Sequence, residues 1–236
     1  MTFRFHSQLE LHQSVQSGLS STVAPGPICS NSIDWMAWHF TKLAFLPAIV
    51  ESGALLCDRH AKPAEVIASP GIKEDRLSIP VGLPGHPDCM VGDHVPFYFA
   101  PRSPTSYWVL HNTCQPNDLV FLGVHVRTVT SHLEWCATNG SAAKPQLTSF
   151  MKDAHAIGDH VDLDVLTLRY WLDSTGEDTD RRRRRHAEFL VYDRVPLEFV
   201  SRVVCYSADA LAVAVKAMNG VSGSRKYGVD PNMFAI

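Results

Sequence analysis

The sequence predicts an α+β fold whose sheet is mostly antiparallel. Strand-like and helix-like segments do not alternate in the regular rhythm of a doubly wound parallel sheet. No G-x-G-x-x-G and no P-loop opens a helix after a strand. No internal period marks a repeat architecture. At 236 residues, 45% of them hydrophobic, the chain can bury a full core without a disulfide or metal staple.

Residues 1–32 are rich in Ser and Gln and end in APGPICSNS. They read as an N-terminal extension or linker, with a short helix around Leu9–Val15. Residues 33–236 read as the folded domain. IDWMAWHF brings an apolar, aromatic texture and a strand near Trp35–Phe40. In TKLAFLPAIVESG, Pro47 would cost about 3 kcal/mol inside a helix. A helix beginning near Leu46, with Pro47 in its first turn and Gly53 as its stop, avoids that cost. Residues 57–94 are rich in Pro and Gly with little periodicity and read as a long irregular loop, a feature usually functional or mobile. VPFYF (95–99) predicts a strand, YWVL (107–110) is too short to assign, and LVFLGVHV (119–126) predicts a buried strand. DLDVLTLRYWL (162–172) predicts a helix with Leu163, Leu166 and Tyr170 on one face. FLVY (189–192) and FVSRVVCY (199–206) predict two more strands. SADALAVAVKAMNG predicts a helix capped by Ser207, with Lys216 in its last turn and Gly220 at its end.

The net charge is −3, so the molecule as a whole is not a polyanion binder, and any nucleic-acid contact must come from a local basic patch. Six cysteines are scattered with no C-x-x-C pair and read as free thiols in a reducing compartment. His111 and Cys114 form an H-x-x-C, but no second pair has ligand spacing, so no metal is expected. There is no signal-peptide pattern, and the apolar runs are too short to span a bilayer. The expectation is a cytoplasmic protein with no membrane partner.

The densest positive charge is RRRRRHAEFLV (181–191). Arg181, Arg182, Arg183, Arg184 and Arg185 read either as a solvated loop or as a phosphate-neutralising one. Glu188 then reads either as a strand-entry acid neutralised by its neighbours or as a fixed carboxylate. In the second role it stabilises positive charge on a sugar ring while a glycosidic C–N bond breaks. His39 and Thr41 flank Phe40 and, as alternate strand residues, can face one pocket. Arg76 lies in the long loop. Phe97 and Tyr98 lie in an aromatic strand, followed by Arg102 between two prolines. That arrangement is either ordinary packing or a stacking face beside a phosphate-binding arginine.

Taken in order, WHFTKLAFLPAIVESGALL, IKEDR, HVPFYFAPRSP, LRYWLDS, HAEFLVY and VVCYS resemble the DarT family of DNA ADP-ribosyltransferase toxins, from about Trp38 to the C-terminus. The resemblance implies an ADP-ribosyltransferase-like split antiparallel β-sheet core with flanking helices. It also implies a reaction: ADP-ribose moves from NAD, as substrate, to a base in single-stranded DNA, and nicotinamide leaves. Carried over by position, Glu188 is the catalytic glutamate and Arg76 an arginine that assists catalysis and binds NAD. His39, Thr41 and Tyr98 hold the nicotinamide end. Arg102 and the arginines 181–185 fall in segments that meet the DNA. A macrodomain antitoxin that removes the modification is the implied partner.

The sequence departs from the family pattern at two places. Thr105 stands where some relatives carry methionine after PRSP. Thr138, Asn139, Gly140 and Ser141 stand where some carry T-D-x-H. Thymine and guanine therefore both stay open as the acceptor. Rival readings are the same fold acting on RNA or protein, an NAD-consuming enzyme with water as acceptor, and a non-catalytic nucleic-acid-binding module.

Overall fold

The computed structural model describes residues 31–61, 71–83, 88–172 and 178–234. The expected helix around Leu9–Val15 and most of the N-terminal extension lie outside the described residues. In chain order the strands are β1 (Met36–Lys42), β2 (Ala54–Leu56), β3 (His94–Tyr98), β4 (Leu119–His125), β5 (Trp135–Thr138), β6 (Phe150–Met151), β7 (Glu188–Tyr192), β8 (Arg194–Pro196), β9 (Val200–Cys205) and β10 (Lys226–Val229). The helices are α1 (Leu46–Ser52), α2 (Ile72–Arg76), α3 (Pro104–Asn112), α4 (Val126–His132), α5 (Ile157–His160), α6 (Leu163–Thr167), α7 (Arg181–Arg184) and α8 (Ala208–Ala217).

Eight strands form one sheet in the order β10-β9-β4-β1-β3-β7-β5-β6, and β2 pairs with β8 in a second. Every pairing is antiparallel except β10 with β9. The large sheet is close to two halves. β1 pairs with β4 along its whole length, from Met36↔His125 to Lys42↔Leu119. β3 likewise pairs with β7 from His94↔Tyr192 to Tyr98↔Glu188. Between the halves, β1 and β3 share the single register pair Trp38↔Tyr98. The split falls where the site residues gather.

Strand alternation sends side chains to two cores. Ala37, Phe97, Leu122, Phe189 and Val203 join one cluster with Leu46 of α1, Val129 of α4 and Ala210 and Ala214 of α8. Trp38, Phe40, Tyr98, Phe121 and Val204 join another, with Val109 and Leu110 of α3. Small residues on α8 let it lie close to the sheet. Its first turn is capped by the Ser207 side chain, which accepts from the Ala210 N–H.

Several sequence expectations hold: α1 starts at Leu46 with Pro47 in its first turn. Gly53 ends it at φ 71, a left-handed conformation that an L side chain resists. Others are corrected. The 57–94 stretch contains α2 and an isolated bridge, Pro80↔Met90, so Arg76 sits on a helical turn rather than a loop. YWVL belongs to α3, whose first turn is capped by Ser103. The 162–172 helix ends at Thr167, and Tyr170 is 79% exposed instead of facing the core. The reason is Arg185, whose Nη1 donates to the carbonyls of Val165 and Leu166. Those are the acceptors that residues 169 and 170 would need in order to continue the helix. Among the described residues, no helix is long and apolar enough to cross a membrane.

Candidate active site

Glu188 opens β7 directly opposite Tyr98 at the end of β3. Paired residues of antiparallel strands project to the same face, so the carboxylate and the phenol share one side of the split. Glu188 is only 1% exposed, and both its oxygens are engaged. Oε2 accepts from Arg76 Nη1 at 2.9 Å, and Oε1 accepts from the backbone N–H of Ala142, also at 2.9 Å. Arg76 in turn donates from Nε to Asp58 at 3.2 Å, and Lys73 pairs with the other Asp58 oxygen at 3.1 Å. A buried carboxylate this far from water needs such partners, because each unpaired charge would cost several kcal/mol.

The Arg76 side chain holds a buried atom, Nη2, with no hydrogen-bond partner. Burial works against its charge, but Glu188 and Asp58 outweigh that and hold the guanidinium above its ordinary pKa. The result is a fixed cation with an unused NH2 group beside the carboxylate. Such a donor suits an oxygen of a substrate brought into the split.

Tyr98 is sandwiched by ring contacts. Its centroid lies 5.8 Å from Phe40 with the rings nearly parallel, and 5.5 Å from His186 in the same stacked manner. Burial and the Glu188 charge both push the phenol pKa up. His186 Nε2 lies 2.5 Å from Thr105 Oγ1. The imidazole is pushed down to about 4, chiefly by burial and against the pull of Glu188. It is therefore a neutral ring at physiological pH. The sequence alone assigns no site role to His186 or Thr105. For the histidine the signal is present: a residue two positions before an acid entering a strand points to the same face as that acid.

Of the residues expected to hold NAD, Tyr98 and Arg76 lie with Glu188. His39 lies nearby but faces elsewhere, because alternation along β1 gives Phe40 the contact with Tyr98. The His39 ring meets Phe97 at 5.7 Å, and its Nδ1 is 2.8 Å from the Pro96 carbonyl oxygen, so it ties the two halves across the split. Burial lowers its pKa, and the Asp58 that holds Arg76 pulls the other way. Thr41, two residues on, is buried opposite Val120.

The arginine run is not the free cationic loop expected from the sequence. Arg181–Arg184 form α7. Arg181 pairs with Asp178 at 3.2 Å and Arg183 with Asp180 at 2.6 Å, while Arg184 bonds Asp162 and Asp178. Arg185 is fully buried. Its Nε donates to the Arg102 carbonyl at 3.1 Å and its Nη1 to α6. Three of the five charges are thus neutralised by acids within the molecule, and a fourth serves as an internal staple. Arg182 is exposed and has contacts of its own. Arg102 is half-buried in the turn before α3.

Thr138, at the end of β5, is a further residue to which the sequence alone gives no site role. Its hydroxyl accepts the Glu188 N–H at 3.0 Å and donates to the Gly140 carbonyl at 2.7 Å. One buried side chain thereby sets both the start of β7 and the loop that presents the Ala142 N–H. Among the described residues, one group has ligand-like metal spacing: Cys57, His60 and Asp193. It lies outside the Glu188 constellation, and Asp193 already bonds His60 and Arg194.

Comparison with known proteins places the chain in a family. Residues 38–235 match the family model described as "ssDNA thymidine ADP-ribosyltransferase, DarT". Relatives from Mycobacterium tuberculosis (strain ATCC 25618 / H37Rv) and Mycobacterium bovis (strain BCG / Pasteur 1173P2), each named DNA ADP-ribosyl transferase, are 38% identical over 215 residues. That span is 89% of this chain and 93% of theirs. Among solved structures, Thermus sp. 2.9 DarT in complex with ADP-ribosylated ssDNA superposes with a TM-score of 0.75 at 22% identity, covering 85% of this chain and 96% of that one. The same protein in complex with NAD+ gives 0.70 at 20% identity, covering 85% and 98%. The structural likenesses show the fold. The family match runs from within β1 through β10, and so the chain belongs to the DarT family of single-stranded DNA thymidine ADP-ribosyltransferases.

Proposed function

We propose that the protein binds NAD at the split between β1 and β3 and transfers its ADP-ribose to a thymine in single-stranded DNA, releasing nicotinamide. The observation that carries this reading is the buried Glu188 carboxylate. It lies opposite Tyr98 and is fixed by Arg76 Nη1 and the Ala142 N–H. As the ribosyl C–N bond to nicotinamide breaks, positive charge spreads over the sugar's anomeric carbon and ring oxygen. A carboxylate already desolvated and held in place stabilises that charge without reorganising. Nicotinamide leaves with the bonding electron pair as a neutral molecule. The thymine ring nitrogen then forms the new bond to the anomeric carbon and gives up its N–H proton to solvent water. Arg76, through its unpartnered Nη2, binds an oxygen of the NAD or of the base as the charges redistribute. Tyr98, held in its uncharged form, bounds the nicotinamide end, while His39 and Thr41, on the other face of β1, hold in place the strand that carries Phe40 against it. An unpaired base spares the unstacking cost that a duplex would impose.

The family model names thymidine, and on that ground we place thymine ahead of guanine as the acceptor. The test is mass spectrometry of single-stranded oligonucleotides that differ in one central base, incubated with NAD and protein. An ADP-ribose adduct on the thymine oligonucleotide alone supports the reading. An adduct on guanine alone overturns the choice of base, and free ADP-ribose with no adduct overturns transfer to DNA. A macrodomain antitoxin that hydrolyses this adduct is the partner we propose. Its check is loss of the adduct mass when a macrodomain protein encoded beside the gene is added.

A further inference from the structure

Arginines in and beside the 181–185 run fall into two classes. Arg181, Arg183 and Arg184 have acids against them. Arg102, Arg169 and Arg185 have none among the described residues. Arg102 Nε and Arg185 Nη2 are moreover buried and without hydrogen-bond partners. Burial, and after it the Arg102 charge, brings Arg185 down to about 9, and burial, and after it the Arg169 charge, lowers Arg102. Buried donors and converging cations that lack a counter-charge mark a place where an anion belongs. The rim beside it is aromatic. Tyr170 is 79% exposed and lies 5.7 Å below the Arg169 guanidinium, Leu172 is 57% exposed, and Tyr107 packs edge-on against Trp171. Such rings at the surface are costly to leave in water and suit stacking on bases.

We infer that Arg102 and Arg169, backed by the buried charge of Arg185, form a phosphate subsite for the single-stranded DNA, and that Tyr170 stacks a base next to that phosphate. The inference rests on the proposed function, which supplies the strand. Arg102 lies four residues after Tyr98 in the sequence, a reach of at most about 14 Å. A strand whose target base enters the split would therefore carry a neighbouring phosphate past this turn. The pyrophosphate of NAD shares the chemistry, but an open, ring-lined rim fits a strand running over the surface better than a dinucleotide enclosed in the cleft.

The test measures binding of a fluorescent thymine-containing oligonucleotide by anisotropy, without NAD, across a salt series. It compares wild type with Arg169→Gln, with Arg102→Gln/Arg169→Gln, with Tyr170→Ala, and with Arg127→Gln as a charge-matched control on another surface. The double variant should bind roughly ten-fold more weakly, and its log–log salt slope should flatten by about 0.7 for each phosphate that is no longer neutralised. Arg169→Gln, at an exposed site that folding does not need, should show the same flattening at about half the size. Tyr170→Ala should bind about five-fold or more weakly with the slope unchanged, because stacking releases no counterions. Arg127→Gln should stay within about two-fold of wild type. Unchanged slopes in both arginine variants would overturn the subsite, as would an equal loss in Arg127→Gln. NAD affinity, titrated separately, should change less than about two-fold, and a parallel fall would assign the arginines to the pyrophosphate instead. A wild-type protein that modifies no oligonucleotide contradicts the proposed function itself. A wild type that modifies DNA, alongside arginine variants that bind it equally well, contradicts the subsite alone.

Discussion

Glu188 is held by one cation and one backbone donor, and His186 lies in stacked contact with the tyrosine opposite it. The histidine sets a pH signature. Its folded pKa of about 4 lies below the ordinary value of 6.5. On acidification the unfolded chain takes up the proton first. The neutral ring's contribution to stability is complete above about pH 6.5 and is lost as the pH falls towards 4. His39 is shifted in the same direction. Replacing His186 with Gln should therefore flatten the fall of Tm between pH 6.5 and 4.5 by a few degrees, or roughly 1–2 kcal/mol. Calorimetry across that range checks it, and parallel curves for variant and wild type would contradict it. Much of this site is legible at the residue level, because Glu188, Arg76 and Tyr98 each lie in a short motif. The arginine run is not, because its neutralising acids include Asp162, distant in sequence, and because no local pattern reveals that Arg185 turns inward to the carbonyls of α6.

At the scale of elements, β5 positions β7 through a single hydroxyl. Thr138 accepts the N–H of Glu188 and donates to Gly140, so it fixes the carboxylate's backbone and the loop bearing Ala142 together. Thr138→Val keeps the volume but leaves a buried N–H and a carbonyl unpaired, at a cost of about 1–3 kcal/mol. Its kcat should fall about ten-fold or more while KM for NAD changes little, and Thr138→Ser should restore most of the rate. Equal losses in Val and Ser variants would show that the methyl packing, not the hydroxyl, matters. The strands with long apolar runs, β1, β3, β4, β7 and β9, are readable from their patterns. β5 is not, since WCAT is short and flanked by polar residues, and β10 contains a glycine and lies parallel to β9 at the sheet edge. The expected long loop hides α2 because that helix is a little over one turn long and shows no amphipathic period.

The whole molecule is two half-sheets joined at one register pair, with His39 as a side-chain tie across the join. A ligand seated at that split contacts both halves and so favours the folded state. NAD at about 100 times its Kd should stabilise the protein by about 2.7 kcal/mol, and raise Tm by roughly 5–10 °C for a chain of this size. Thermal denaturation with and without NAD checks this, and no shift at a saturating concentration would place NAD elsewhere. The general α+β class follows from the irregular order of strands and helices. The split itself does not follow from composition or periodicity and is anticipated only through the family resemblance, because which strands neighbour one another is set by long-range pairing. The central claim is that the Glu188 carboxylate drives the cleavage and transfer. The most direct test is adduct formation on a thymine oligonucleotide, with nicotinamide release followed in parallel, for wild type and Glu188→Gln, whose NAD affinity is measured alongside. The account predicts that the variant binds NAD within a few-fold of wild type and loses both products by about three orders of magnitude. A Glu188→Gln protein that modifies DNA at close to the wild-type rate would contradict it.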